Sequence, residues 1–410
     1  MTSILIAVDK FKGSLSGAEL TNAILAGLRS ELDSKVQILT CPIADGGDGT
    51  VDAAISAGFS ERRVEVAGPF GAPVSARYAL SQDGVAVLEV AEACGLWRAE
   101  QLGLDTWKAT SFGAGQMIGD ALDAGAHQIV LGLGGSATTD GGAGMLSALG
   151  LKIVDAAGES VAPGGGGLRQ AASVDVSGLD SRLKRVVFTI ASDVNNPLCG
   201  RKGAAFIYGP QKGASPEQVP LLDEALEQFA ALLESEIAGR TSQKDVITEK
   251  SGTEKQPENH VSRETRELSL AETPGAGAAG GLGFAALILG CMAQKTELRP
   301  GVDIVFELTD FKKKLAESDI VITGEGKLDS QTLSGKGPAG VARAANREGK
   351  PVYMICGANT LSPQELEANG IAGVRAVLDS GVSLEESLAN PRPHVLKLAR
   401  SLAQEITQNL

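Results

Sequence analysis

Apolar positions along the chain fall into short blocks separated by polar, glycine-rich loops. Ile4 to Val8 is a continuous apolar run, the pattern of a strand covered on both faces. A helical period follows from about Ala18 to Leu28, and Ser16 with Glu19 three residues later forms a capping-box pattern at its start. The plan repeats with Val36 to Cys41 as strand, Asp45 to Gly49 as loop and Thr50 to Ala57 as helix. From Arg62 to Glu92 the pattern alternates, predicting strands Val64 to Val66, Val74 to Leu80 and Val85 to Val90 between Gly-Pro and Asp-Gly turns. A helix over about Lys108 to Ala124 and strands Ile129 to Leu131 and Val186 to Ile190 continue this middle section. After Arg299 the strand-helix plan returns, with strands Ile320 to Thr323, Val352 to Cys356 and Val374 to Leu378.

These blocks predict an α/β protein of two domains: a doubly wound parallel sheet from both chain ends (residues 1–61 and 291–410), interrupted by an inserted mixed-sheet α/β domain (62–290). The length of 410 residues fits two cores better than one. Thr241 to Glu272 has few apolar positions and reads as a solvated polar insert.

Composition narrows the function. A net charge of −13 argues against nucleic acid as a partner, and it requires an enzyme that handles phosphate to concentrate its few cations, or a metal, at one place. The 5 cysteines lack metal-binding or disulfide spacing, so reduced thiols and a cytoplasmic location are expected. The start of the chain shows no signal-peptide pattern, and the apolar stretch Leu282 to Ala293 is too short to span a bilayer, so no membrane partner is expected.

Five loops could carry chemistry. Asp9-Lys10-Phe11-Lys12-Gly13-Ser14 sits between a strand and a capped helix, where Lys10, Lys12 and Ser14 could receive an anion. In Ala44 to Thr50, Asp45 and Asp48 offer hard oxygens suited to Mg²⁺, although a capped glycine turn would look similar. Gly132 to Gly144 interleaves Gly134 and Gly135, whose amides can approach phosphate, with Ser136, Thr138, Thr139 and Asp140. Asp140 could hold a metal, accept a substrate proton or cap a helix. Asp193, Asn195 and Asn196 follow a strand and could engage a small hydroxylated substrate, or form an Asx turn. Glu325, Lys327 and Lys336 lie in a loop after the Ile320 strand, at the sheet edge where open α/β folds bind ligands.

The third loop also contains Gly132, Gly134 and Ala137 in the spacing of a dinucleotide fingerprint, with Asp155 as a ribose acid. An NAD-binding oxidoreductase of a small hydroxy acid is therefore the alternative. No P-loop, protein-kinase or nucleophile-elbow pattern occurs, and the 3 histidines stand apart from these loops.

Taken in order, Asp9 to Ser16, Ala44 to Thr50, Gly134 to Gly144, Ala191 to Leu198, Pro274 to Gly283 and Thr323 to Thr332 resemble the type 1 glycerate kinase family. The resemblance runs from Ile4 to about Gly357. It implies ATP-dependent phosphorylation of D-glycerate, with 2-phosphoglycerate favoured as product, on a flavodoxin-like half with an inserted second half. The expected partners are ATP, Mg²⁺ and glycerate, with a second copy of the chain as a further candidate. In direct in-line transfer, Lys10, Lys12 and Lys327 would stabilise phosphoryl charge, and Asp193 or Asp140 would orient the glycerate hydroxyl.

Overall fold

All six residues of the strand Ser3–Val8 are buried, as expected for a strand inside a parallel sheet. In the computed structural model, which describes residues 2–44, 47–249, 269–333 and 337–409, this strand is central in a five-stranded sheet. Its order is Gln37–Thr40, Ser3–Val8, Ile320–Gly324, Val352–Cys356, Ile371–Ala376, and every pair is parallel. Counted along the chain this is 2-1-3-4-5, the flavodoxin-like order. Ile4, Ile6 and Val8 pack against Leu20, Ile24 and Leu28 of the helix Gly17–Arg29 and against Val395 and Leu402 of Pro391–Asn409. Leu5 and Ala7 face the other way, onto Val341, Ala342 and Ala345 of the helix Gly337–Arg347 and onto Phe311 and Leu315. Ser16 and Glu19 form the expected capping box.

The chain separates into two compact units, one of Met1–Ser60 with Pro300–Leu410 and one of Glu61–Arg299. The second holds a mixed six-stranded sheet in the order Lys295–Arg299, Val187–Ala191, Gln128–Gly132, Val85–Glu89, Pro73–Leu80, Ser60–Ala67. The first four strands are parallel, and Pro73–Leu80 runs antiparallel to Val85–Glu89. Tyr78, Phe188, Phe229 and Phe284 are the large side chains of its core.

Two boundaries differ from expectation. Residues 291–299, assigned from sequence to the first domain, belong to the inserted unit, because Lys295–Arg299 is the outermost strand beside Val187–Ala191. Its Lys-Thr-Glu-Leu-Arg sequence lacks an apolar alternation, as an edge strand can afford to. The polar segment expected at 241–272 is helical at its start, where the helix Gln218–Glu249 continues past Gly239 through a stretch, 241–249, that has neither Gly nor Pro. Residues 250–268 of that segment lie outside the described residues. At its end, Ser269 caps a short turn over Leu270–Glu272 and donates to Glu234 at 2.7 Å.

Among the described residues no helix is long and apolar enough to cross a membrane. The five cysteines are free thiols, and Cys41, Cys94 and Cys356 are buried.

Candidate active site

In the first unit, strand order reverses between Ser3–Val8 and Ile320–Gly324, and a crevice forms beyond the carboxyl ends of strands at such a point. Val8 is in register with Gly324, and the Asp9 amide donates to the Gly324 carbonyl at 2.9 Å, so the Asp9 and Glu325 loops leave the sheet side by side. A β-carbon on Gly326 would lie 3.4 Å from the Lys12 nitrogen, which keeps these loops in close backbone contact.

Lys10 reaches across to the Asp48 loop, donating to the Asp48 carbonyl at 2.8 Å and pairing with its carboxylate. Asp48, read from sequence as a metal ligand, is thus the ion-pair partner of Lys10, because the lysine arm spans the gap between the two loops. Asp9 accepts the Lys10 amide at 2.7 Å, and its other carboxylate oxygen faces the start of the helix Gly337–Arg347, 3.5 Å from where a Gly337 β-carbon would sit. Lys12 is exposed, and the Ser14 hydroxyl is turned back to the Phe11 carbonyl at 3.3 Å. Lys327 pairs with Asp329 at 3.2 Å. Asp45 and Lys336 lie outside the described residues.

In the inserted unit, Gly132 is flanked in register by Glu89 on one side and Ala191 on the other. Gly134 and Asp193 each follow this row by two residues, on strands about 4.8 Å apart. Asp193 and Asn195 are exposed, Gly134 is half-buried, and Gly135 is exposed at φ 76°, a left-handed conformation that suits glycine.

The rest of the loop turns inward. The Ser136 hydroxyl accepts from Lys212 at 3.1 Å, Thr139 accepts from Thr106 at 2.8 Å, and Thr138 donates to the Ala279 carbonyl at 3.5 Å. These hydroxyls, expected to face phosphate, are buried and engaged by protein.

Asp140 takes the bland alternative. It is fully buried and accepts from the Ser111 amide and hydroxyl, each at 2.8 Å, and from the Gly142 and Gly144 amides at 3.1 and 3.2 Å. Burial pushes its carboxyl above the ordinary range, against the opposing pull of those four hydrogen bonds. It holds the turn into the helix Ala143–Ala148, whereas Asp193 is exposed. Asn196 is engaged as well, donating to the Lys202 carbonyl at 2.7 Å and accepting from Tyr208 at 2.7 Å.

The segment Pro274 to Gly283 explains its own glycines. A β-carbon on Gly280 would stand 1.8 Å from the Thr138 carbonyl oxygen, and one on Gly277 would stand 2.2 Å from that of Pro197. The segment is a floor against which the Gly132 and Asp193 loops both pack.

Lys212 was not singled out from sequence. It is 4% exposed, and it donates to Thr138 O at 2.7 Å as well as to Ser136. Burial pulls its ammonium down to about 8, opposed by Cys94 and Asp140. The one available signal was a lone lysine framed by Gly209 and Gly213.

The dinucleotide alternative fails on topology. Lys152–Val154, the strand that would carry the ribose acid, pairs antiparallel with Ser173–Asp175 instead of joining Gln128–Gly132. Asp155 closes its own turn, accepting the Ala157 and Glu159 amides at 2.9 and 3.0 Å.

Known proteins resemble this chain along almost its whole length. The model of the glycerate kinase family matches residues 4–407. A Bacillus subtilis glycerate kinase is 39% identical over 98% of this chain and 97% of its own length, and an Escherichia coli glycerate 2-kinase is 39% identical over the same shares. A crystal structure from Salmonella typhimurium LT2, provisionally assigned as a glycerate kinase 2, superposes with a TM-score of 0.80 at 40% identity, covering 100% of both chains. With the family match and these relatives all running nearly end to end, the chain belongs to the glycerate kinase family.

Proposed function

We propose that this chain transfers the terminal phosphoryl group of ATP to the 2-hydroxyl of D-glycerate by direct in-line displacement. The family and the names of its relatives support glycerate as acceptor, and the Escherichia coli glycerate 2-kinase supports the 2-position.

The observation that carries the chemical reading is the placement of Asp193 and Gly134 two residues beyond paired positions on adjacent parallel strands. A carboxylate that can take the proton of an attacking hydroxyl thereby neighbours glycine amides that can approach phosphate oxygens. Asp193 orients the glycerate hydroxyl and accepts its proton as the new P–O bond forms. The Gly134 and Gly135 amides donate to phosphate oxygens, and Ser136, Thr138 and Thr139 hold the loop's shape from within.

Lys10 supplies positive charge at the switch point of the first unit, with Lys12 and Lys327 as further cations for the carboxylate or phosphoryl group. Glu325 and Asp9 shape that loop pair. The chemistry that Mg²⁺ would supply when bound is positive charge to offset that on the phosphate oxygens. Among the described residues no cluster of three or more acidic, histidine or cysteine side chains could hold the ion, and Asp48 does not fit its coordination while it pairs with Lys10.

Phosphorus NMR of the product from ATP, Mg²⁺ and D-glycerate tests the reading. A single 2-phosphoglycerate resonance is expected. The 3-phospho isomer would overturn the regiochemistry, and no phosphoglycerate at all would overturn the activity.

A further inference from the structure

Lys212 stands out as a buried cation that the reaction as outlined does not use. It ends the short turn Pro210–Lys212, and Gly213 beside it adopts φ 93°, where a β-carbon would stand 2.7 Å from the Leu104 carbonyl oxygen. The turn is thus packed tightly and fixes the lysine backbone. From there Nζ donates to Ser136 Oγ at 3.1 Å and to Thr138 O at 2.7 Å, gripping the glycine loop on both sides of Ala137. The opposite side of the same stretch is tied by the Leu96 amide to Gly135 O at 2.7 Å and by the Ala137 amide to Cys94 O at 2.8 Å. Gly135 is therefore held between two anchors, with its own backbone left exposed.

The partners of Lys212 are a hydroxyl and a carbonyl, so no direct ion pair cancels its charge among the described residues. Burying an ammonium without a counter-ion is costly, and an apolar side chain of similar length would fill the same space at lower cost. Asp140, the nearby carboxylate, is saturated by Ser111, Gly142 and Gly144. What the charge does where it stands is make the loop above it attractive to an anion.

We propose that Lys212 is a positioning residue for nucleotide binding: its buried ammonium holds the Gly134–Gly135 turn open to polyphosphate and biases the loop toward that anion. This rests on the reading that the loop cradles phosphate. The groups facing Lys212 that could titrate are Cys94, from the helix Ala91–Cys94, and Asp140, from the loop itself. Burial pushes the Cys94 thiol up to about 12, so it stays protonated while Lys212 loses its charge near pH 8.

The test compares Lys212→Met, Ser136→Ala and Gly135→Ala with the parent, measuring the dissociation constant for ATP, KM for ATP and for glycerate, and the melting temperature. Lys212→Met should weaken ATP at least about tenfold, and Ser136→Ala by about threefold, while KM for glycerate stays within about twofold. In the parent, ATP affinity should fall as pH passes about 8, whereas in Lys212→Met it should be flat. A purely structural lysine would lower the folded fraction and total activity with KM for ATP unchanged, and that result would overturn the proposal. If Lys212→Met does not fold, Ser136→Ala decides: parental ATP affinity there overturns the inference. Should Gly135→Ala also bind ATP as the parent does, the phosphate-loop reading itself falls and takes this one with it.

Discussion

Ser111 donates its hydroxyl to the buried Asp140 carboxylate at 2.8 Å and accepts the Met145 amide at 2.9 Å, joining the loop before the helix Phe112–Asp123 to the start of the helix Ala143–Ala148. Removing it leaves the Met145 amide without this acceptor and takes one of four hydrogen bonds from the buried carboxylate. Ser111→Ala should destabilise the protein by about 1–3 kcal/mol, read as a lower midpoint in denaturant unfolding. A midpoint equal to the parent's would mean that the bridge contributes nothing.

The same carboxylate gives a pH signature. Burial raises the folded-state value of Asp140 above 3.8, so the folded protein holds that proton more tightly than the unfolded chain does. The resulting stabilisation is complete below pH 3.8 and is lost as pH rises through the folded value. Asn at this position does not titrate. The melting temperature of the parent should therefore fall relative to that of Asp140→Asn as pH is raised from 3.8 toward neutrality. A difference that stays constant over this range would contradict the assignment.

The Lys10 and Asp48 pair separates stability from chemistry. Asp48 is 69% exposed, and an ion pair at such a surface contributes at most about 1 kcal/mol. Lys10→Met and Asp48→Asn should both melt close to the parent. Lys10→Met should nonetheless lower kcat by about a hundredfold, equivalent to about 2.7 kcal/mol of lost phosphoryl stabilisation. A coupled ADP-release assay beside a melting curve measures both, and a lysine that matters only for folding would shift the curve instead.

The outcome of the sequence reading follows from what side-chain patterns encode. Ser3–Val8, Ile320–Gly324 and Val352–Cys356 were legible because burial on both faces demands uninterrupted apolar runs. Lys295–Arg299 was not, since an edge strand carries no such demand. Loops after strands stood out as candidates through their glycines and acids, but direction was not legible: Ser136, Thr138 and Thr139 look alike in sequence whether they face a ligand or the core. Asp140 is held inside partly by Ser111, 29 residues away in the chain, whose amide and hydroxyl turn toward it beside the local Gly142 and Gly144 amides. Lys212 was illegible for a similar reason, because its partners Ser136 and Thr138 lie 76 and 74 residues away.

The two acids make opposite predictions, and this is the sharpest test of the proposed chemistry. Asp193 sits exposed beyond the strand Val187–Ala191, so replacing one of its oxygens by an amide disturbs little packing. Its proposed task is to take the glycerate proton, and positioned proton transfer contributes about 10²–10⁴-fold in rate. Asp193→Asn should accordingly lose kcat by that factor, keep KM for ATP within a few fold and melt with the parent. Asp140→Asn should instead act on the melting behaviour, through the buried cap that it alters. Turnover near the parent's in Asp193→Asn would remove the general base from the mechanism, and a hydroxyl activated by its environment alone would have to replace it.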